Sequence, residues 1–253
     1  MMKTRLTTMA ALLLLVPLAV SAQDDGDKDD DFGLWTTVEA VKKVDKKLSV
    51  GLDAELRTRD NVGELDRWSV GVTASYKLFP WLKASAGYVL IDDHVAEKYT
   101  YHDNGNLNKW TPDYWRLRHR VHVSLTGSAD MGNFTLSLRE RWQYTYRPEK
   151  VVQRWDEDDE EWSDKTVSSK AKNVLRSRLQ LSYSKKRCPW EPYASVELYN
   201  GWNVQKGRFT VGTEYKLSKQ HVLNAFYRYQ HIYDRDDEDP NTHIVGVGYT
   251  FKF

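Results

Sequence analysis

Arg116, Arg118, Arg120, His122 and Ser124 occupy every second position of one short stretch, and the pairs Arg139/Arg141 and Arg176/Arg178 repeat the spacing further along. Alternate residues of a β-strand share a face, so each set holds its guanidiniums side by side. A guanidinium stays charged and offers a fork of N–H donors to a carboxylate or phosphate. Asp53, Glu55, Glu197 and Glu214 hold equivalent positions in other alternating stretches and are the carboxylates that can answer them. One chemistry this allows is a network of ion pairs filling an enclosed space that has no apolar core. A second is a basic constriction or site for an anionic solute, as charged rings provide in pores. His122-Val123-Ser124 admits a third, a hydroxyl activated by a neighbouring imidazole.

These residues need strands to position them, and the sequence supplies eleven alternating stretches, most near the length of about 9–11 residues that a tilted strand needs to cross a bilayer. Leu48, Val50, Leu52, Ala54 and Leu56 alternate with Ser49, Gly51, Asp53, Glu55 and Arg57, and Trp68, Val70, Val72, Ala74 and Tyr76 with small or polar residues. The pattern recurs at 82–90, 115–125, 134–146, 175–183, 209–217, 223–231 and 243–253, and more weakly at 33–43 and 193–199. One face of each is apolar and the other polar. A soluble β-sandwich alternates too, but tryptophan and tyrosine concentrate near the stretch ends, which suits two interfacial girdles better than one core. The expected fold is therefore all-β, a transmembrane antiparallel up-and-down β-barrel of about ten to twelve strands. A mean hydropathy of −0.68 is no objection, because a barrel strand offers lipid only its alternate residues.

The chain ends agree. His243, Val245, Val247, Tyr249, Phe251 and Phe253 form one apolar face, and a last strand ending in Phe resembles the C-terminal signature of bacterial outer-membrane barrels. That resemblance implies an outer-membrane location in a Gram-negative cell, contact with outer-membrane lipid and lipopolysaccharide, and recognition of the Phe253 strand by barrel-assembly machinery. Lys3 and Arg5 precede an apolar run from Ala10 to Val20 that leads into Ser21-Ala22, the order of a cleaved signal peptide. The expected organisation is a signal peptide at 1–22, an acidic segment at 23–31 and one barrel domain at 32–253. Removing Lys3 and Arg5 from 37 basic residues leaves 35 against 36 acidic ones, a balance that argues against a nucleic-acid partner. Cys188 is the only cysteine, which excludes a disulfide framework or a thiolate metal cluster.

Short connections near 44–47, 78–81, 127–132, 185–192 and 218–220 alternate with longer polar ones at 59–66, 93–113, 147–172, 200–206 and 233–242. Short turns belong in the periplasm and long loops outside. On that assignment both the first and the last strand run downward, which conflicts with the even strand number of single-chain bacterial barrels. The long loops are acidic, with Asp156 to Glu161 flanked by Trp155 and Trp162, and Asp234 to Asp239 in the last loop. Such carboxylates can hold Ca²⁺ or Mg²⁺, but they lack the spaced ligands and glycine of an EF-hand loop and read as solvated surface. No metal site and no cofactor is expected. Inward glycines following valine, such as Gly51, Gly71, Gly212 and Gly246, read as devices that make room for bulky neighbours.

Asp31-Phe32-Gly33-Leu34-Trp35, Arg57-Thr58-Arg59-Asp60-Asn61, Asp66-Arg67-Trp68-Ser69 and Trp81 to Tyr88 together resemble the uncharacterised outer-membrane barrel family known as domain of unknown function 2490, found in Bacteroidetes-type bacteria. The likeness runs through most of the mature chain and is densest in its first third. It implies a barrel without an established activity, so no catalytic residues carry over. His122-Val123-Ser124 has the His-x-Ser form of lipid A 3-O-deacylases, which makes a lipid-modifying hydrolase the alternative. Against it, the pair shares a face with three arginines, lies toward the periplasmic end of its predicted strand and has no acidic partner at a spacing that orients the histidine.

Overall fold

The computed structural model describes residues 30–201, 203–233 and 240–253. The expected signal peptide, most of the acidic segment after it and the Asp234–Asp239 cluster lie outside the described residues. Fifteen strands follow one another: β1 Asp31–Lys43, β2 Leu48–Arg59, β3 Glu64–Phe79, β4 Leu82–Val95, β5 Lys98–Tyr101, β6 Leu107–Thr111, β7 Tyr114–Met131, β8 Phe134–Arg147, β9 Lys150–Asp156, β10 Glu161–Val167, β11 Lys170–Tyr183, β12 Trp190–Asn200, β13 Val204–Lys216, β14 His221–Ile232 and β15 Thr242–Lys252. Eleven of them close a barrel in the order β1-β15-β14-β13-β12-β11-β8-β7-β4-β3-β2, and these are the eleven alternating stretches of the sequence.

The parity conflict is resolved at the seam. β1 is an ordinary wall strand, and it pairs with β15 in parallel, from Asp31 opposite Thr242 to Val41 opposite Lys252. Every other neighbouring pair in the wall is antiparallel. An odd strand number forces one parallel contact, because the first and last strands then run the same way. Side chains clamp both ends of the seam: His243 Nε2 lies 3.1 Å from Asp30 Oδ2, and Thr250 Oγ1 donates to Glu39 Oε2 at 3.1 Å.

Alternation sorts the wall as expected. Leu52, Val72, Val121, Val123, Leu138, Leu179, Phe209, Val211 and Val247 are exposed outward, the face a bilayer covers. Stacked or tilted aromatic pairs, Phe79/Trp81, Phe134/Tyr183 and Trp190/Tyr215, mark the short-turn end as one girdle. The turns there are tight. Asp45 Oδ1 accepts the N–H groups of Lys47 at 2.6 Å and Leu48 at 2.7 Å, and those bonds from Leu48 and Lys47 hold its carboxyl below the usual carboxylate range. Inward glycines take in their neighbours: a Cβ on Gly246 would meet the Phe226 ring at 2.0 Å.

Two of the long polar loops are not loops. Residues 98–111 and 150–167 form a second, four-stranded antiparallel sheet in the order β10-β9-β6-β5, beyond the long-loop end of the barrel. Tyr99, Trp110, Trp155 and Trp162 face one way across all four strands, with Tyr99 and Trp110 stacked at 6.2 Å and Trp162 lying 5.6 Å from Trp110 and 5.5 Å from Trp155. Such cross-strand aromatic contacts stabilise a small sheet. The sequence hides this because the key pairing, Trp110 opposite Trp155, joins two separate loops.

Candidate functional site

The strands bring the charged residues of the lumen together around two carboxylates. Glu197 on β12 accepts Arg139 Nη2 of β8 on Oε1 at 2.6 Å and Arg176 Nη2 of β11 on Oε2 at 2.8 Å. Tyr199 donates its hydroxyl to Oε2 at 3.1 Å, and Arg208 Nη1 of β13 lies 3.9 Å from the same oxygen. Arg208 also donates from Nε to Gln230 Oε1 at 2.8 Å, and from Nη1 to the Tyr199 hydroxyl. The second carboxylate is Asp93 on β4, paired with Arg67 of β3 and Arg118 of β7 and almost wholly buried.

Trp35 on β1 links the two sides. The guanidinium of Arg57 from β2 lies 3.6 Å from the centroid of its ring, and those of Arg208 and Arg228 each lie 5.0 Å away. Arg57 in turn pairs with Glu55 at 2.7 Å. The contacts therefore run unbroken from Arg57 through Trp35, Arg208, Tyr199 and Glu197 to Arg176 and Arg139, from β2 across to β8. Trp35, Tyr199, Glu197 and Arg208 are all buried. They lie toward the strand ends that lead into the long loops, so this network occupies the long-loop half of the lumen.

Arg118, Arg139 and Arg176 serve the two carboxylates. Arg116 faces inward but holds the base of the external sheet: its Nη2 donates to the carbonyls of Ser168 at 2.7 Å, Pro148 at 3.0 Å and Val167 at 3.4 Å. Arg120 donates to Thr145 Oγ1 at 3.1 Å. Arg120, Arg141 and Arg178 make no ion pair among the described residues, and the Nε atoms of Arg141 and Arg178 are buried without a hydrogen-bond partner. Asp53 fills the space that Gly71 leaves, where a Cβ would come within 2.7 Å of its carboxylate. Glu214 stands opposite Glu191 in the wall.

His122 and Ser124 are lumenal and buried, and His122 Nε2 and Ser124 Oγ have no hydrogen-bond partner among the described residues. The imidazole lies over Gly87, where a Cβ would come 2.5 Å from Cε1, and Ser124 stands opposite Ser85 and Arg141. The two side chains are thus not joined as nucleophile and base. β7 continues to Met131, so His122 sits at mid-strand, not toward the periplasmic end as the shorter predicted strand implied. Among the described residues no group of three or more His, Cys, Asp or Glu side chains is arranged to hold a metal ion.

The sequence alone did not single out Trp35, Arg67, Asp93, Tyr199, Arg208 and Arg228, and it set Arg57 on a polar face without a partner. Their inward parity was legible, as Asp93 continues the face of Val89 and Ile91. Which of them meet across the lumen depends on barrel closure, which no strand encodes alone.

The beta domain of the Bordetella autotransporter BrkA aligns at a TM-score of 0.53 and 14% identity over 80% of this chain and 78% of that one. The translocator domain of autotransporter NalP from Neisseria meningitidis (TM-score 0.49, 11% identity, 76% of this chain and 71% of that one) and the CymD monoaromatic hydrocarbon channel (0.40, 10%, 75% and 66%) are more distant. No curated protein matches the sequence. The model of one family, described as a protein of unknown function (DUF2490), matches residues 32–241, which spans the barrel from β1 to the edge of β15, and the chain belongs to that family.

Proposed function

We propose that this protein is an outer-membrane barrel whose lumen is closed in its outer half by paired charge, a wall-spanning support for its external sheet that conducts poorly. The observation that carries this reading is the buried chain of contacts from Arg57 on β2 to Arg139 on β8 through Trp35, Arg208 and Glu197. In so narrow a barrel, a network of paired charges can take the place of an apolar core and fix one arrangement of the strands. The apolar belt and the aromatic girdle support an outer-membrane location, with outer-leaflet lipid and lipopolysaccharide around the wall and assembly machinery reading the β15 strand that ends in Phe253.

A second reading, passage of small anions, is favoured by Arg120, Arg141 and Arg178, which carry positive charge into the lumen and form no ion pair among the described residues. Planar-bilayer recording of the refolded protein separates the two. The closed reading expects a silent bilayer from the wild type and from the Arg120/Arg141/Arg178→Ala variant. A steady anion-selective conductance that moves toward cations in the variant would replace it with the pore.

A further inference from the structure

The external sheet sorts its charges by face. Lys98 and Thr100 of β5, Lys109 and Thr111 of β6, Arg154 of β9 and Lys165 of β10 share the face opposite the aromatic row, and they line a cavity of about 110 Å³. Lys98 stands opposite Thr111, Thr100 opposite Lys109, and Arg154 opposite Ser163. The carboxylates of Glu97 and Glu157 instead bond the aromatic side, accepting the indole N–H groups of Trp110 and Trp155 at 3.1 and 2.7 Å. Asp156 and Glu161 are the acids in register on the cationic face, and Asp156 is held by Lys109. Lys98, Arg154 and Lys165 form no ion pair among the described residues, and Arg154 Nε is a buried donor without a hydrogen-bond partner.

Lys109 is answered by Asp156, but Lys98, Arg154 and Lys165 around the same hollow repel each other, and an anion entering it relieves that repulsion. The hollow is small, its lining is cationic and hydroxylic, and Val152, opposite Lys165, is the apolar residue in register with it. A phosphate monoester supplies close to two negative charges and three acceptor oxygens, which a guanidinium fork and neighbouring ammonium groups can bind together. We propose that this cavity binds a phosphate monoester group at the cell's outer face. The proposal stands whether or not the lumen conducts.

Calorimetric titration of the full mature protein, refolded in phosphatidylcholine nanodiscs, with inorganic phosphate at low ionic strength tests it. Saturable binding is expected, weakened about tenfold or more by Arg154→Gln/Lys165→Gln and left unchanged by Arg141→Gln in the lumen. Lys98→Gln serves as a second variant if the double one fails the heat-modifiable mobility check for a folded barrel. No binding by the wild type, binding that survives these external changes, or binding lost with Arg141→Gln instead would overturn the proposal. Nanodiscs doped with phosphatidic acid then separate the sources. Competition by the doped lipid assigns the site to a membrane headgroup, whereas undiminished binding of free phosphate assigns it to a soluble ligand.

Discussion

Arg208 places its guanidinium 5.0 Å from the centre of the Trp35 ring although β14 and β15 stand between their strands in the wall. The contact therefore crosses the lumen, and it joins the Glu197 network to Arg57 on the far side. A desolvated cation–π contact contributes about 2 kcal/mol, and Trp35 receives three guanidiniums.

Trp35→Ala should therefore open a path. Proteoliposomes carrying this variant are expected to leak small ions faster than those with the wild type, at equal folded protein. Equal leak rates would show that the lumen is closed elsewhere.

Glu197 takes two arginines directly and has a third nearby, so Glu197→Gln leaves buried guanidiniums uncompensated. Removing one partner of a buried pair costs about 3–5 kcal/mol. Urea unfolding in micelles should show a loss of that order for Glu197→Gln and a much smaller one for Glu214→Gln, whose carboxylate makes no ion pair among the described residues. Equal losses would mean that the network does not brace the wall.

Gly246 yields its space to Phe226, whose Cζ a Cβ would meet at 2.0 Å. Gly246→Ala should destabilise by about 1–3 kcal/mol through overpacking. Phe226→Leu in the same chain should recover part of that loss, so the double variant is expected to be more stable than the sum of the single changes predicts. Strict additivity would place the strain elsewhere.

The external sheet should respond to acid. A hydrogen bond from Lys109, and its charge, keep the Asp156 carboxyl below the usual carboxylate range. A pKa depressed on folding contributes stability above the unfolded value and loses it as pH falls through the folded one. The loss belongs below about pH 4, the ordinary carboxylate value. Near-ultraviolet circular dichroism of Trp110, Trp155 and Trp162 should hold steady to that point and then decline. In Asp156→Asn the signal should be lower at neutral pH and flatter in acid. A variant that follows the wild-type profile would remove Asp156 from the account.

The family motifs gain physical meaning from the same contacts. In Asp31 to Trp35, Gly33 lacks a side chain where a Cβ would lie 2.6 Å from the Thr58 carbonyl, and Leu34 donates its N–H to Thr58 Oγ1 at 2.9 Å. Trp35 is the lumenal platform. In Asp66 to Ser69, Arg67 reaches Asp93 on the next strand.

By itself the sequence determined the barrel and its eleven wall strands, because period two is a local property and lipid rewards it residue by residue. It also put Asp53, Glu55, Glu197 and Glu214 on the lumenal side. Only the tertiary structure decided the parallel seam between β1 and β15, which arises when strands distant in the chain must meet. Closure likewise decided which charges pair: Glu197 serves Arg139 and Arg176, Asp93 serves Arg67 and Arg118, and Arg116 turns to loop carbonyls. The external sheet depended on the same step, since Lys109 meets Asp156 and Trp110 meets Trp155 only after the barrel has brought two loops to one side. Alternation fixes which way a side chain points, and the closed wall fixes what it finds there.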